Sequence, residues 1–451
     1  SIGSWASKSA LGSYFGRVNY SFMDRYLLTA TLRADGDSNF LPANRWGYFP
    51  SASVGWRFTE ESFVKPLAEK VRLSNGKLRV SYGQTGNSNI GNKVYDAYGT
   101  TYKYSFGNNQ VSNGMGVIKL GNPDITWETT TEFNLGLDLG FFDGRINLSA
   151  EYYNRVISDL LSTKYLPTYN EINTVASNIG KTQGQGFELT LNTTNIKTAD
   201  FTWNTDFTLQ HYEDRWKERD PNWAPAVYQR VNDPIRGIFV LKSDGLMKVG
   251  EKAPAWQPNL LPGQIKVVNL ADKDGASNKL DQNDVYYLGT KDPQFIFGLN
   301  NTLRYKNFDF NIYLYGELNR WRGQSYYEAW SSGVAGNSVI YNAATSSLNQ
   351  WSSANQNSRL PSTIAVTNSL PYGTDFWYKK ISYLRCRNIT LGYSFKAPKI
   401  GIDNARVYVD VNNPFLLTNW TGIDPETDPN DGYSYAHPSV RGFNIGIDVT
   451  F

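Results

Sequence analysis

The sequence predicts an all-β fold, a transmembrane antiparallel β-barrel, from three observations. Apolar and polar residues alternate with a period of two along many segments, which is the pattern of strands with one apolar and one polar face. The 451 residues include 13 Trp, 30 Tyr and 23 Phe beside 39 Gly, a composition typical of many strands with aromatic ends. Short and long connections alternate between the predicted strands, as they do in outer-membrane barrels.

Alternation is clearest near the end of the sequence. Over 441–451, one face of the predicted strand carries Phe443, Ile445, Ile447, Val449 and Phe451. The other face carries Gly442, Asn444, Gly446, Asp448 and Thr450. Similar segments give about thirteen strands, each near the ~9–11 residues that cross a bilayer when tilted. They lie near 11–22, 25–35, 50–58, 77–86, 131–141, 145–158, 184–195, 200–212, 294–306, 308–320, 381–396, 405–417 and 440–451.

The connections indicate which side of a membrane each end of the strands faces. Short ones fall at 22–24, 142–144, 195–200 and 306–307, and medium ones at 59–76, with a helical turn, and 396–404. Long connections run near 36–49, 87–130, 159–183, 213–293, 321–380 and 418–439. Outer-membrane barrels have short periplasmic turns and longer extracellular loops. We therefore expect residues 1–451 to form one barrel portion with the long connections outside the cell.

Composition and charge exclude several other classes of protein. Lys and Arg (44) nearly balance Asp and Glu (41), so no basic field for nucleic acid is expected. A single cysteine, Cys386, forbids an internal disulfide, and with two histidines (His211 and His437) it makes a zinc or iron site improbable. No apolar run approaches the ~18 residues of a membrane helix.

Charged residues should avoid the lipid-facing side of each strand. A charge there costs ~2–4 kcal/mol at the bilayer midplane, and most strand charges fall on the polar side. Arg385 and Arg387 are the exception, because simple alternation puts them on the face of Ile389 and Leu391. We expect them to extend to the headgroup level, and Cys386 to lie on the polar side as a small filler.

The odd strand count implies a larger assembly. Both ends of a bacterial barrel normally face the periplasm, which requires an even number of strands. An open sheet edge is not tolerated in lipid, so we expect further strands to pair with 11–22 and 440–451. The chain is then the carboxy-terminal part of a larger barrel, surrounded by lipid and lipopolysaccharide.

Three stretches, in this order, resemble a known family. The first stretch has Pro-Gly-Gln-Ile-Lys at 262–266, followed by Asp-rich segments at 272–275 and 280–284. The second stretch runs from Tyr383 to Tyr393. The third has Asn-Pro-Phe at 413–415 and Gly-Ile-Asp-Pro-Glu at 422–426. Together they resemble the carboxy-terminal half of SusC/RagA-type TonB-dependent transporters of Bacteroidota. The resemblance covers essentially the whole chain.

This resemblance implies a transporter complex with several parts. The family has a barrel of twenty-two strands, a plug domain, a TonB-contacting segment and a SusD-like surface lipoprotein that closes the barrel. No plug or TonB-contacting segment is present in this sequence, so these parts and about nine strands are expected either on another chain or lost. The part that carries them would connect the barrel to TonB–ExbB–ExbD. The implied function is active import of a bulky nutrient, an oligosaccharide or an oligopeptide.

Four acidic residues between two of these stretches resemble a calcium loop weakly. With Gly275 as the turn glycine, Asp272, Asp274 and Asp281 take positions three, five and twelve of an EF-hand-like count, and Asp284 follows. Position one is Leu270, which cannot bind calcium, and position twelve is Asp rather than Glu. The alternative is that Asp281 and Asp284 hold the loop together through backbone hydrogen bonds. We expect no other cofactor.

Aromatic residues in the long connections are the candidates for solute contact. Trp and Tyr rings pack on the apolar faces of sugars or on peptide side chains, and neighbouring amides orient the ligand. The alternative is that the rings pack the loops on each other or on a partner protein. The candidates are Trp223, Tyr228, Tyr326, Tyr327, Trp330, Trp351, Trp377 and Tyr378.

Catalysis and passive diffusion are weaker hypotheses. Glu132 and Glu151 could be imagined as an acid–base pair, but a wet interior would raise neither pKa, and no nucleophile or phosphate-binding motif is present. We therefore expect no enzyme. A passive porin, or a barrel that displays loops or serves secretion, remains the alternative to active import.

Overall fold

The computed structural model describes residues 8–91, 93–106, 110–271, 278–323, 348–362, 370, 373–422, 424–427 and 438–450. Two compact units divide the chain. The first comprises Ser1–Thr190, Tyr212–Ala224 and Val231–Ile235, and the second comprises Leu191–His211, Pro225–Arg230 and Arg236–Phe451. Across the described part of the chain, no helix has the length and apolar content needed to cross a membrane.

The first unit is built on long antiparallel strands. In order they are β1 (Leu11–Phe22), β2 (Tyr26–Asp37), β3 (Trp46–Trp56), β4 (Leu73–Asn87), β5 (Ala97–Phe106), β6 (Gln110–Lys119), β7 (Glu128–Phe141), β8 (Ile146–Ser158), β9 (Leu161–Tyr165), β10 (Thr174–Asn178) and the start of β11 (Lys181–Lys197). A short helix, α1 (Lys65–Lys70), lies between β3 and β4. Hydrogen-bonded neighbours follow the order β1-β2-β3-β4-β7-β8-β11, while β5–β6 and β9–β10 form separate two-stranded sheets.

The second unit continues the same pattern. Its strands are the end of β11, most of β12 (Phe201–Glu218), β13 (Gly237–Leu241), β14 (Ser243–Leu246), β15 (Ile265–Val267), β16 (Val285–Thr290), β17 (Phe295–Tyr305), β18 (Phe308–Gly323), β19 (Tyr378–Ala397), β20 (Ile402–Asn412), β21 (Leu416–Thr418) and β22 (Gly442–Thr450). The order is β11-β12-β17-β18-β19-β20-β22, with β21 on β19. Two small sheets, β13–β16 and β14–β15, lie in the connection between β12 and β17.

Strand register in the first unit aligns apolar side chains into a row. Leu28 lies opposite Val54, Val54 opposite Val80, Val80 opposite Leu135 and Leu135 opposite Tyr152. All five are exposed large hydrophobic residues. Because side chains alternate across a strand, the intervening polar residues form the opposite face. An exposed apolar row of this kind suits a lipid surface.

The second unit has a matching row. Phe310 lies opposite Leu391, Leu391 opposite Val409 and Val409 opposite Ile445. Phe443 and Ile445 are 75% and 82% exposed, so the apolar side of β22 is not buried in a protein core. The predicted division into an apolar and a polar face is therefore present in both units.

The predicted strands correspond to the long strands of both units, with one correction. We predicted a single strand over 405–417, but β20 ends at Asn412 and the separate strand β21 pairs with β19 at Tyr383–Arg385. Asn413 adopts a positive φ of 51°, and Pro414 has no N–H to continue the ladder. The break therefore follows from local backbone chemistry.

A β-bulge in β19 corrects a second prediction. Tyr313 lies opposite Asn388 and Leu314 opposite Cys386, so Arg387 has no opposing residue. The extra residue shifts the alternation, which places Arg385 opposite Tyr315 on the polar face. The predictions that Arg385 lies on the apolar side and Cys386 on the polar side are wrong, because one inserted residue reverses the faces of every earlier position. The prediction for Arg387, the bulged residue, is wrong as well, since its guanidinium contacts Glu426 and the Tyr315 ring.

The long connections contain more regular structure than we predicted. Hairpin β5–β6 lies within 87–130, β9–β10 within 159–183, and both small sheets within 213–293. In the second unit Leu241 on β13, Val267 on β15 and Val285 on β16 form a buried cluster between these small sheets. In the first unit, Phe40, Phe49, Val94, Ile125 and Trp127 form another cluster. These cores fix the connections in place at the long-loop end of the strands.

Candidate functional site

The polar face of the first unit carries a branched ion pair. Arg79 on β4 approaches Asp138 on β7 at 2.7 Å and Glu151 on β8 at 2.5 Å. Gly136 makes room for the guanidinium, because a Cβ there would lie 2.8 Å from the Arg79 Cζ. All three charges lie on the face where we predicted them. Glu151 is therefore held in an ion pair with Arg79, an arrangement that does not suit a proton donor in catalysis.

The polar face of the second unit is rich in amides. Asp410 on β20 accepts hydrogen bonds from Asn388, Thr390, Asn412 and Asn444. Further toward the short-turn end, Arg406 binds Asp309 at 2.6 Å. A wall of amides, hydroxyls and paired charges presents both donors and acceptors, which suits a hydrated passage.

A buried ion pair fixes the segment after β21 to the polar face near the long-loop end. Arg385 on β19 donates to Asp424 Oδ1 at 2.6 Å and to Glu426 Oε1 at 2.7 Å. Arg385 and Asp424 are each 4% exposed. Burial opposes ionisation, but hydrogen bonds from the N–H groups of Glu426 and Ser439 and the charge of Arg385 hold the pKa of the Asp424 carboxyl below its usual value.

An open cavity of about 660 Å³ lies among the loops of the second unit. Lys266 is placed between Glu251 and Asp244, the latter at 3.3 Å. The hydrogen bond from Lys266 raises its own pKa and lowers that of Glu251, so both stay charged near neutrality. Gln356 and Ser358 line the same cavity. We did not predict these residues as a site, because isolated charged residues in a loop form no sequence motif. Only the folded loop brings them together.

Two of the predicted solute-contacting aromatics pack within the loops. Trp223 lies 4.2 Å from the guanidinium carbon of Arg219, which also stacks on Trp216 at 4.9 Å. In the second unit, Tyr228 lies 5.5 Å from Phe239, ring centroid to centroid, and packs on the buried cluster. Both observations match the packing alternative, and solute contact by these two rings remains a prediction.

Three more predicted aromatics lie beside Gly263 or near the start of β19. Trp351 covers Gly263, and its Nε1 is buried without a hydrogen-bond partner among the described residues. Trp377 ends a 3-10 turn and lies edge-on to Phe376 at 5.0 Å. Tyr378 opens β19 opposite Gly323. No pair among Trp351, Trp377 and Tyr378 forms a ring contact in the described structure. Tyr326, Tyr327 and Trp330 lie outside the described residues.

The 3-10 turn before β19 is tied to the small sheets. Asp375 accepts a hydrogen bond from the Ser243 N–H at 2.7 Å and from the Tyr286 hydroxyl at 2.6 Å. Burial and the Asp375 carboxylate raise the pKa of Tyr286, so the phenol remains a donor at physiological pH. Trp377 and Tyr378 are thereby held beside β14 and β16.

The calcium candidates are engaged in a capping arrangement. Asp281 accepts from the Asn283 N–H, and Asp284 accepts from the N–H groups of Asp281 and Ala271. Asp284 is almost fully buried. The described residues contain no group of three or more His, Cys, Asp or Glu able to hold a metal, but Asp272 and Asp274 lie outside them. Calcium binding remains a prediction.

Taken together, strands with an exposed apolar row, a polar face with paired charges and elaborate loops at one end define an outer-membrane β-barrel. The chain belongs to the family described as TonB dependent receptor-like, beta-barrel, whose model matches residues 3–413. Members of this family are transporters of the outer membrane rather than enzymes.

Individual relatives support the SusC/RagA type. The chain is 32% identical to the TonB-dependent receptor SusC of Bacteroides thetaiotaomicron, over 99% of this chain and 44% of that protein. It is 30% identical to the TonB-dependent receptor P3 of Formosa agariphila, over 99% of this chain and 46% of that protein. The chain thus spans about half the length of the curated relatives it matches.

Solved structures agree on the fold. A structure of the RagAB peptide transporter superposes with a TM-score of 0.79 at 21% identity, over 98% of this chain and 48% of that chain. The open state of the RagAB peptide importer gives a TM-score of 0.78 at 22% identity, over 98% of this chain and 47% of that chain. The resemblance seen in the sequence is confirmed.

Proposed function

We propose that this chain forms the barrel wall of an energised outer-membrane importer for a bulky nutrient. The observation that carries the proposal is the family match over residues 3–413, in a chain whose strands carry an exposed apolar row on one face. The same strands line their other face with paired charges and amides. A polar wall of this kind lets a hydrated solute pass without leaving a buried polar group unsatisfied.

The cargo class is an oligosaccharide or an oligopeptide. The amides around Asp410 and the loop cavity beside Lys266 offer donors and acceptors to hydroxyls and to peptide groups alike. The aromatic side chains of the loops would supply apolar contact to either cargo. The described candidates are Trp223, Tyr228, Trp351, Trp377 and Tyr378, and Tyr326, Tyr327 and Trp330 belong to the same set.

The proposed partners are those of the SusC/RagA type. A SusD-like surface lipoprotein would cover the long-loop end, and a plug segment with a TonB-contacting region would couple opening to TonB–ExbB–ExbD. The similarity to SusC and the RagAB fold support this arrangement. The structured hairpins and small sheets at the long-loop end provide the surface that such a lipoprotein would need.

Deleting the gene in the producing bacterium tests this function. Uptake of fluorescent oligosaccharides and of fluorescent oligopeptides is measured in the parent, the deletion strain and the complemented strain, with and without a protonophore. We expect one cargo class to lose uptake on deletion and to regain it on complementation, with uptake abolished by the protonophore. Uptake that persists with the protonophore would indicate a passive porin, and uptake unaffected by deletion would indicate a surface-display role.

A further inference from the structure

The segment that follows β21 is fixed by several buried contacts. We call residues 420–422 and 424–427 the strap. Arg322 at the end of β18 donates to the backbone carbonyls of Asp424 and Pro425 and, at 2.5 Å, of Thr427. Its guanidinium carbon also lies 4.9 Å from the Trp420 ring centroid. Arg322 is 6% exposed, so the strap screens this cation from solvent.

Asp424 ties the strap to the next strand as well. Its Oδ1 accepts from Arg385 and from the Glu426 N–H, and its Oδ2 accepts from the Ser439 N–H at 2.9 Å. One carboxylate therefore joins β19, the strap and the approach to β22. Breaking a buried pair leaves an uncompensated charge, which is far more costly than losing an exposed pair.

Contacts continue from the strap onto the polar face. Glu426 bridges Arg385 and Arg387, the second at 2.9 Å. The Arg387 guanidinium stacks on the Tyr315 ring at 4.9 Å, and the Tyr315 hydroxyl donates to Glu317 at 3.2 Å. Arg387 is about one-third exposed, unlike the buried Arg385. The position of the strap therefore determines which side chains reach the surface here.

We propose that Asp424 and Arg385 are positioning residues for transport: their buried pair holds the strap across the polar face at the long-loop end and so sets the width of the passage at that level. The proposal rests on the proposed import function. The geometry that supports it is the chain of contacts from Arg322 and Arg385 through Glu426 to Tyr315. Neither Asp424 nor Arg385 needs to touch the solute.

The test uses Asp424→Asn in the full protein, expressed in the producing bacterium. Glu61→Gln is the control, because Glu61 is also a buried carboxylate paired with an arginine, Arg25 at 3.2 Å, but lies in the connection between β3 and β4, at the short-turn end of the strands. Two quantities are measured: the rate at which proteinase K added to intact cells cleaves within the strap, and uptake of a cargo series of increasing length. Heat-modifiable migration confirms that each variant is folded.

We expect Asp424→Asn to raise the cleavage rate about tenfold or more, because cleavage follows the population of the opened segment. We also expect uptake of the longest relative to the shortest cargo to change about threefold or more, which corresponds to about 0.65 kcal/mol. Glu61→Gln should leave both unchanged. If Asp424→Asn does not assemble, Arg385→Lys keeps the charge, loses one carboxylate contact and should give a smaller change in the same direction.

Two results would overturn the proposal: an unchanged cleavage rate in folded Asp424→Asn, or faster cleavage with an unaltered length preference. The second result would leave the strap contact intact as a structural feature but remove its role in transport. Absence of energised uptake by the unmodified protein would instead contradict the import function, and the cleavage measurement would still report on the strap.

Discussion

Val409 and Ile445 lie directly opposite each other on β20 and β22, and both side chains point out of the protein, 44% and 82% exposed. In water this pair would be an unprotected apolar patch, whereas in a bilayer it is in contact with lipid. Contact with lipid instead of protein explains why β22 alternates strictly between apolar and polar residues while its apolar side chains are not covered by other parts of the protein.

Ile445→Arg is predicted to prevent assembly of the folded barrel. A guanidinium on the lipid face near the midplane costs about 2–4 kcal/mol, a large fraction of typical stability. Asn444→Arg is the control, because Asn444 faces Asp410 on the polar side and a cation is tolerated there. Heat-modifiable migration of purified outer membranes measures both; equal effects of the two substitutions would contradict the assignment of the faces.

Acid is predicted to release the strap. The pKa of the Asp424 carboxyl in the folded protein lies below its ordinary 3.8, so its stabilising effect is complete above that pH. It is lost as the pH falls through the folded value, because the neutral acid no longer attracts Arg385 or accepts as strongly from Glu426 and Ser439.

Hydrogen exchange of the Ser439 amide, corrected for the intrinsic pH dependence of exchange, measures this release. Protection should be constant from neutrality down to about pH 4 and fall below it. In Asp424→Asn it should be lower and independent of pH. Full protection of the unmodified protein at pH 2.5 would show that the carboxylate does not hold Ser439.

Asp284→Ala is predicted to destabilise the β15–β16 connection with or without calcium. The substitution removes the hydrogen bonds that Asp284 accepts from the N–H groups of Asp281 and Ala271, and each lost hydrogen bond costs about 0.5–1.5 kcal/mol. The measurement is the thermal unfolding of the purified barrel in detergent, in calcium and in EDTA. A loss of stability that occurs only in calcium would instead support a metal site that includes Asp272 and Asp274.

Gly263→Ala is predicted to destabilise the loops of the second unit more than Gly245→Ala. Both glycines adopt a positive φ, 85° and 76°, but a Cβ at Gly263 would lie 2.5 Å from Trp351, whereas at Gly245 it would meet nothing within 4 Å. Placing an alanine in a left-handed backbone conformation costs about 1–2 kcal/mol of stability at either position. The steric clash adds about 1–3 kcal/mol at Gly263 only. Chemical unfolding followed by tryptophan fluorescence compares the two; equal losses would mean that Trp351 moves aside freely.

Two-residue periodicity was sufficient to find the long strands, their faces and the alternation of their connections, because the membrane imposes the same chemical rule on every crossing. Arg79, Asp138 and Glu151 lie on the face that this rule assigned to them. The rule failed at Arg385 and Cys386, because a one-residue bulge shifts the alternation of faces and the sequence pattern does not indicate where a bulge occurs. It also failed at Asn413-Pro414, where turn chemistry interrupts a run that is apolar enough to continue.

The sequence by itself thus determined the fold class, the outer-membrane setting and the family resemblance. Only the tertiary structure decided that Arg322 and Arg385 converge on Asp424, and that Trp223 and Tyr228 pack within the loops. Which side chains of a strand contact lipid depends on the alternation within that strand, so it can be predicted from a short stretch of sequence. Convergence of side chains that lie about a hundred positions apart, as Arg322 and Asp424 do, depends on strand register and loop packing, which no local pattern encodes.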